Sequence, residues 1–405
     1  MSKAIDHGAR AHAILSASGS HRWLNCTPSA RLEEAEPGSN GTVFTQEGTF
    51  AHELGEIMLR AYADPDYDEL EARKKLETDI ESFNATNKTK FSIEAMEPHV
   101  EEYVTAVIED FEECLRVDPA ALLLIEEPFD LTSIIPEGGG TNDAIIISDG
   151  TAHVHDLKFG QGVIVSAVEN PQLMLYAYGA LESFNGLYDI RRVVLHIDQP
   201  RVSNFSAWEI SVEELYKWAE NFVKPKAKLA FAGEGKFCAG SWCQFCKVKA
   251  RCRHLAEHSL ALAKYDFQEP ALLTDDEVAD VMQRLPGIAD WAASVRQYAY
   301  ERALTGKKWP GYKLVESKTM RRWKNETQVV EILDMEGYTE GQIYNKKLKG
   351  LGDIEKLVGK KSFPSLLGEY VEKPEGQATL VPETDKRPEI ELGDALQKAL
   401  DDFAD

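Results

Sequence analysis

Apolar positions in the first third of the chain recur at helical spacing. RLEEAE (31–36), FAHELGEIMLRAYA (50–63) and MEPHVEEYVTAVIEDFEECLR (96–116) carry apolar residues at three- and four-residue steps, which predicts amphipathic helices up to about residue 118. The period then changes. ALLLIEEPF (121–129), TNDAIIIS (141–148), TAHVHDLK (151–158) and RRVVLHID (191–198) are short runs rich in aliphatic side chains, and they predict strands. Between the last two lies PQLMLYAYGALESF (171–184), with Asn170 as an N-cap and Pro171 in the first turn, the start of a strongly apolar helix.

Further on, SVEELYKWAENFVKPKAKLA (211–230) predicts one helix leading into a cysteine-rich stretch. LTDDEVADVMQRL (273–285) opens with Thr274 and Glu277 at capping-box spacing, and GIADWAASVRQYAYERALTG (287–306) predicts another helix. Residues 1–20 read as a flexible lead-in, 306–373 as a small α-rich module and 374–405 as a Pro- and acid-rich tail. No internal repeat is visible. The order of helices, strands with an embedded helix, then helices again predicts an α/β centre with helical additions.

The centre of that pattern carries chemistry. In GGGTNDAIIISDGTAHVHDLKFG two apolar strands flank Asp149-Gly150, a dipeptide favoured in two-residue type I′ hairpin turns. Such a turn sets the register, because opposed positions then have numbers that sum to 299. Asp143 falls across from Asp156, and strand alternation brings Lys158 to the same face. Like charges directly opposed destabilise a strand pair, so two aspartates on an apolar hairpin call for a cation. Carboxylate oxygens suit Mg²⁺ or Mn²⁺, and a lysine beside them completes the equipment of metal-assisted phosphodiester hydrolysis. Gln172 and Tyr176, four residues apart on the following helix, share one of its faces. Upstream, His52 sits in an apolar helical pattern, where a histidine is commonly a core residue.

Six cysteines occur, and four of them, Cys238, Cys243, Cys246 and Cys252, fall within fifteen residues. The Cys243-x2-Cys246-x5-Cys252 spacing lets thiolates wrap one metal centre. A four-thiolate site then needs either the local Cys238 or the distant Cys26, and zinc or an iron–sulfur cluster would satisfy it. Cys114 reads as a small buried hydrophobe.

Composition adds bounds. Of 405 residues 43% are hydrophobic and 28% charged, an ordinary globular mix. No apolar run approaches the roughly 18 residues that span a bilayer, and the N-terminus shows no secretion signal, so a cytoplasmic location without membrane partners is the expectation. The formal charge of −23 argues against a protein coated in phosphate contacts, although a nuclease needs positive potential only along a groove. Charge is uneven: residues 306–373 hold 14 Lys/Arg against 10 Asp/Glu, and residues 374–405 hold 3 against 9.

Taken in order, G-x-x-x-H (48–52), G-T-x-D (140–143), D-x-K (156–158) and Q-x-x-x-Y (172–176) resemble the nuclease motifs of the RecB/AddB-like branch of the PD-(D/E)XK superfamily. The resemblance implies a restriction-endonuclease-like core, a mixed sheet flanked by helices, over residues 21–260. Beyond it, the helical patterns give a helical C-terminal module over 261–373. The resemblance assigns metal-binding roles to His52, Asp143, Asp156 and the backbone carbonyl of Leu157, catalysis to Lys158, and support of the site to Gln172 and Tyr176. Members with an iron–sulfur cluster use one N-terminal cysteine with a late C-x2-C-x5-C, which selects Cys26 with Cys243, Cys246 and Cys252 for a [4Fe-4S] cluster, structural Zn²⁺ being the alternative. Finer wording, such as GTNDAIIISDG and the late ATLVPETDKRPEI, looks like a phage and prophage family catalogued as a domain of unknown function. The expected function is a Mg²⁺/Mn²⁺-dependent DNA nuclease, an exonuclease in phage recombination or replication. Its expected partners are DNA and a phage recombination or single-strand-binding protein, in the host cytoplasm. Two other classes stand beside it: a non-catalytic DNA-binding or assembly factor, and a partner-binding subunit of a larger nuclease complex.

Overall fold

The computed structural model describes residues 14–36, 43–184, 186–261 and 274–314, and beyond them 326–335, 339, 343–344, 350–359 and 362–371. Two short helices, α1 (Ser20–Asn25) and α2 (Ser29–Glu34), precede three long ones, α3 (Val43–Ala63), α4 (Glu69–Asn87) and α5 (Ile93–Val117). The strands follow: β1 (Leu122–Asp130), β2 (Gly139–Ser148) and β3 (Gly150–Leu157), then α6 (Pro171–Phe184), β4 (Ile190–Gln199) and β5 (Asn204–Ser211). They form one sheet in the order β1-β2-β3-β4-β5. All neighbours are antiparallel except β3 and β4, which run parallel. A parallel pair needs a long crossover to return the chain to the same end of the sheet, and α6 with its flanking loops supplies it.

Strand alternation gives the sheet two apolar faces, and helices cover both. Ile145, Ile147, Val154 and Leu195 pack with α6 and α1 on one side. Ala144 and Leu157 pack with α3, α4 and α5 on the other. The expected α/β centre, a mixed sheet flanked by helices, is what forms. Asn170 caps α6 as expected, its Oδ1 accepting from Gln172 N at 3.0 Å. Cys114 is buried beside Ala121 and Ile146.

The predicted hairpin register holds: Ala144 pairs with His155, Ile145 with Val154 and Ser148 with Thr151. The turn is not type I′, however. Only Gly150 is left-handed (φ 88°), whereas Asp149 is not. The turn is clamped from outside, with Asp149 N donating to Asp118 Oδ2 at 2.9 Å and Gly150 N donating to Asp189 O at 3.0 Å.

Three expectations change. β5 reads as polar and was not anticipated; it is the edge strand beyond β4, with side chains alternating in exposure. The single helix over 211–230 is α7 (Val212–Trp218) and α8 (Lys224–Ala232) joined by a π-helical turn over Ala219–Val223. Pro225 removes a backbone donor there, and a wider turn absorbs the loss. Conversely, the two helices expected over 273–306 are one. After α9 (Arg253–Leu260), α10 runs Asp275–Leu304 through Pro286, with both capping-box bonds of Thr274 and Glu277 made.

The chain divides into compact units at 1–314 and 315–405. In the second unit the described helices are α11 (Glu326–Met335), α12 (Leu351–Val358) and α13 (Phe363–Leu367). The acidic tail at 374–405, most of the basic run at 318–326 and the first 13 residues lie outside the described residues. Among the described residues no helix is long and apolar enough to cross a membrane.

Candidate functional site

Three neighbouring strands each contribute one carboxylate. Ile125 pairs with Ala144 and Glu127 with Asn142, so Glu126 of β1 stands opposite Asp143 of β2. One step beyond the Ala144–His155 pair, Asp156 of β3 stands on the other side of Asp143. Glu126 takes a left-handed φ of 51°, a conformation that costs a non-glycine residue on the order of 1–3 kcal/mol. The ligand atoms of Glu126, Asp143 and His52 lie within 4.8 Å of one another, a spacing that fits a shared metal ion.

His52 reaches the row from α3, its Nδ1 3.0 Å from Asp143 Oδ1. Leu157 N donates to Asp143 Oδ2 at 2.7 Å. Lys158 Nζ lies 2.6 Å from Asp156 Oδ2 and donates to Gln172 Oε1 at 3.1 Å. Gln172 in turn donates from Nε2 to Asp156 Oδ1 at 2.9 Å and to the Tyr176 hydroxyl at 3.3 Å. One glutamine thus holds the lysine and the aspartate together. Gly140 makes room for this arrangement, since a Cβ there would meet Tyr176 Cε1 at 2.7 Å.

Burial and charge set the protonation of the row. Burial disfavours the Asp143 carboxylate, but His52, Lys158 and the Leu157 amide outweigh it and hold its carboxyl below the usual range. Burial pushes the Asp156 carboxyl up; Lys158 opposes this and the nearby Asp143 charge adds to it. Burial works against a charged His52, yet Asp143 raises the imidazole to about 9. Burial likewise works against Lys158, and Asp156 reverses it. Without a cation, then, protons on His52 and Lys158 do the neutralising. The donor set of three carboxylates and one imidazole suits a hard divalent ion. Asp156 Oδ2 is buried and 2.6 Å from Lys158 Nζ, so an ion bound there would share this oxygen with the lysine.

The cysteines meet elsewhere in the same unit. Cys26, on the turn between α1 and α2, lines one pocket together with Cys238, Cys243, Cys246 and Cys252. Chain segments two hundred or more residues apart are tied there: Thr27 Oγ1 donates to Glu234 O at 2.6 Å, Arg31 Nε to Phe231 O at 2.5 Å, and Lys247 N to Glu33 Oε1 at 2.7 Å. Burial raises the thiols of Cys26 and Cys243, and takes Cys246 up to about 12.

Compared with known families, residues 12–388 match the family described as "Protein of unknown function (DUF2800)". The chain belongs to the DUF2800 family. Among solved structures, one titled "Crystal structure of SSO0001" matches at 12% identity and a TM-score of 0.21, covering 58% of this chain and 96% of that one. Likeness at that score bears on neither fold nor function.

In this DUF2800 chain the structure brings His52, Asp143, Asp156, Lys158, Gln172 and Tyr176 into one network, and Cys26, Cys243, Cys246 and Cys252 into one pocket. Two participants go beyond the sequence assignment. Cys238 joins the pocket as a fifth cysteine. Glu126 joins the carboxylate row, and the signal for it, an acid in an otherwise apolar strand, is present in ALLLIEEPF.

Proposed function

We propose that this chain is a metal-dependent DNA nuclease of the RecB/AddB-like PD-(D/E)XK type, acting as an exonuclease. The observation that carries the reading is the three-strand carboxylate row with His52 at one end and the Lys158–Asp156–Gln172 network at the other. Mg²⁺ or Mn²⁺ would be held by His52, Glu126, Asp143 and Asp156, and when bound it supplies Lewis acidity toward a phosphate oxygen. The chain's own groups do the rest. Lys158, held cationic by Asp156, places positive charge at the edge of the row where a phosphodiester would lie. Gln172 keeps that lysine from swinging toward solvent, and Tyr176 fixes the amide orientation of Gln172.

For the cysteine pocket we propose an iron–sulfur cluster, with structural zinc as the alternative, on the resemblance of the C-x2-C-x5-C spacing and Cys26 to nucleases that carry one. Four thiolates on one tetrahedral zinc ion would lie about 3.8 Å apart, from Zn–S bonds of about 2.3 Å. A [4Fe-4S] cluster instead spreads its four thiolates over four irons. Cys26, Cys243, Cys246 and Cys252 are the proposed ligands.

The test uses purified protein with end-labelled linear and closed circular DNA in Mg²⁺ or Mn²⁺. Degradation of the linear form from its ends is expected, with loss of hydrolysis in Asp156→Ala and Lys158→Ala at unchanged circular dichroism. Full activity in both variants would overturn the assignment.

A further inference from the structure

Period-2 alternation sends His153, His155 and Leu157 of β3 to the face opposite Asp156. The parallel register pairs His155 with His196 of β4, and α5 lays Asp110 over the pair. The ligand atoms of Asp110, His153, His155 and His196 all lie within 4.8 Å of one another. Asp110 Oδ2 is 3.2 Å from His155 Nε2, 3.7 Å from His196 Nδ1 and 3.9 Å from His153 Nδ1. Ligands of a tetrahedral ion with bonds of about 2.0–2.1 Å stand about 3.3 Å apart, so the spacing is close to that of a loaded site.

Within the cluster His153 Nδ1 and His196 Nε2 lie at hydrogen-bond distance, 3.1 Å, and two further observations point to a ligand. His155 is fully buried, and its Nε2 faces only the Asp110 carboxylate, at 3.2 Å and without good hydrogen-bond alignment. Its other nitrogen, Nδ1, lies 2.9 Å from Asp198 Oδ2, itself buried. A carboxylate behind one ring nitrogen, with the other nitrogen aimed at a second group of ligands, is the usual support of a metal-bound histidine.

We propose that Asp110, His153, His155 and His196 form a second metal site, for a divalent transition-metal ion of the zinc class, on the face of the sheet opposite the carboxylate row. Three imidazoles and one carboxylate favour Zn²⁺ over Mg²⁺ or Mn²⁺. The His155 and His196 rings are stacked at 4.0 Å and 11°, so a shared ion requires one of them to turn about χ2. His196, partly exposed, is the ring placed to do so. The bound ion would pin α5 to β3 and β4 one residue away from Asp156.

The test is Co²⁺ and Zn²⁺ titration of the full chain. Wild type is expected to take up an equivalent of Co²⁺ with the visible bands of tetrahedral nitrogen and oxygen ligation, displaced by Zn²⁺. Asp110→Asn and His196→Gln should lose that equivalent with the fold retained by circular dichroism, whereas Asp143→Ala, which alters the carboxylate row, should keep it. Asp198→Asn, which touches only the support of His155, should weaken binding by ~10–100-fold. Equal uptake and an unchanged spectrum in Asp110→Asn and His196→Gln would overturn the site, as would a wild type whose Co²⁺ bands all vanish in Asp143→Ala.

Discussion

Gly140 offers a test of the geometry that is independent of any activity. A Cβ at this position would lie 2.7 Å from Tyr176 Cε1, 3.5 Å from Tyr176 Cδ1 and 3.4 Å from Ala17 Cβ. Carbon atoms pack best at about 3.5–4.0 Å, so only the Cε1 contact is forbidding, and close to an ångström of movement must be found. Overpacking of this kind costs ~1–3 kcal/mol. Replacing glycine in a strand interior returns roughly 0.5–1 kcal/mol through reduced chain entropy, so Gly140→Ala should be net destabilising by about 1–2 kcal/mol. The ring that must move carries the hydroxyl 3.3 Å from Gln172 Nε2, so the variant should also loosen the amide that holds Lys158 and Asp156. Urea denaturation read by fluorescence gives the stability, and the decisive arm is a double-mutant cycle. In a Tyr176→Leu background the side chain ends near the old Cδ position, the clash is gone, and Gly140→Ala should be neutral or slightly stabilising. The same penalty in both backgrounds would mean that the close approach is not why glycine stands there.

Other outcomes follow from the same coordinates. Glu126→Gln should weaken Mn²⁺ binding by ~10-fold or more, read by calorimetry, since it removes one charge from the carboxylate row; unchanged affinity would exclude Glu126 from the ion. Cys26→Ser should lose iron on metal analysis together with up to ~5 kcal/mol of stability, the chain-entropy value for a link spanning Cys26 to Cys252, while Cys114→Ser should keep its iron. In metal-free protein His52 is raised to about 9 by Asp143 despite its burial. The stability this pair contributes is therefore full below the ordinary histidine range and is lost as pH rises through about 9; at the acid end it is lost as pH falls through the depressed value of Asp143. The difference in Tm between wild type and Asp143→Asn in chelator should shrink between pH 7 and 10, and a constant difference would refute the pairing.

What could be read from the sequence depended on how the chain transmits register. Across Asp149-Gly150 two residues connect the strands, so one register satisfies both apolar faces, and the alignment of Asp143 with Asp156 survives even though the turn differs from the expected type. Gln172 and Tyr176 were equally accessible, because a helix repeats on itself and needs no partner to place i beside i+4. Glu126 was not. The connection from β1 to β2 is the loop 131–138, which leaves the register open, and the left-handed φ at Glu126 sits where a pattern of alternation expects ordinary extended backbone.

The histidine cluster shows the same limit more sharply. HVH in β3 displays two imidazoles on one face by alternation alone, but the partner that matters comes through a parallel pairing whose register is set by α6 and its flanking loops. Asp110 arrives from a helix packed across the sheet. Residues joined by a tight turn or a single helix face reveal their geometry locally, whereas residues joined by a crossover acquire it only when α5, β3 and β4 pack. In this chain the carboxylate hairpin belongs to the first kind and the His155–Asp198–Asp110 chain to the second, although Asp156 and His155 are neighbours on one strand. A single strand therefore carries two candidate ligand sets on opposite faces, and a change in β3 that shifts its register by one residue would turn each set away from its partners. Such a slip would bury Asp156 against α5 and abolish both sites together, which makes simultaneous loss of Mn²⁺ and Co²⁺ binding the signature of a register error, as distinct from loss of either ligand set alone.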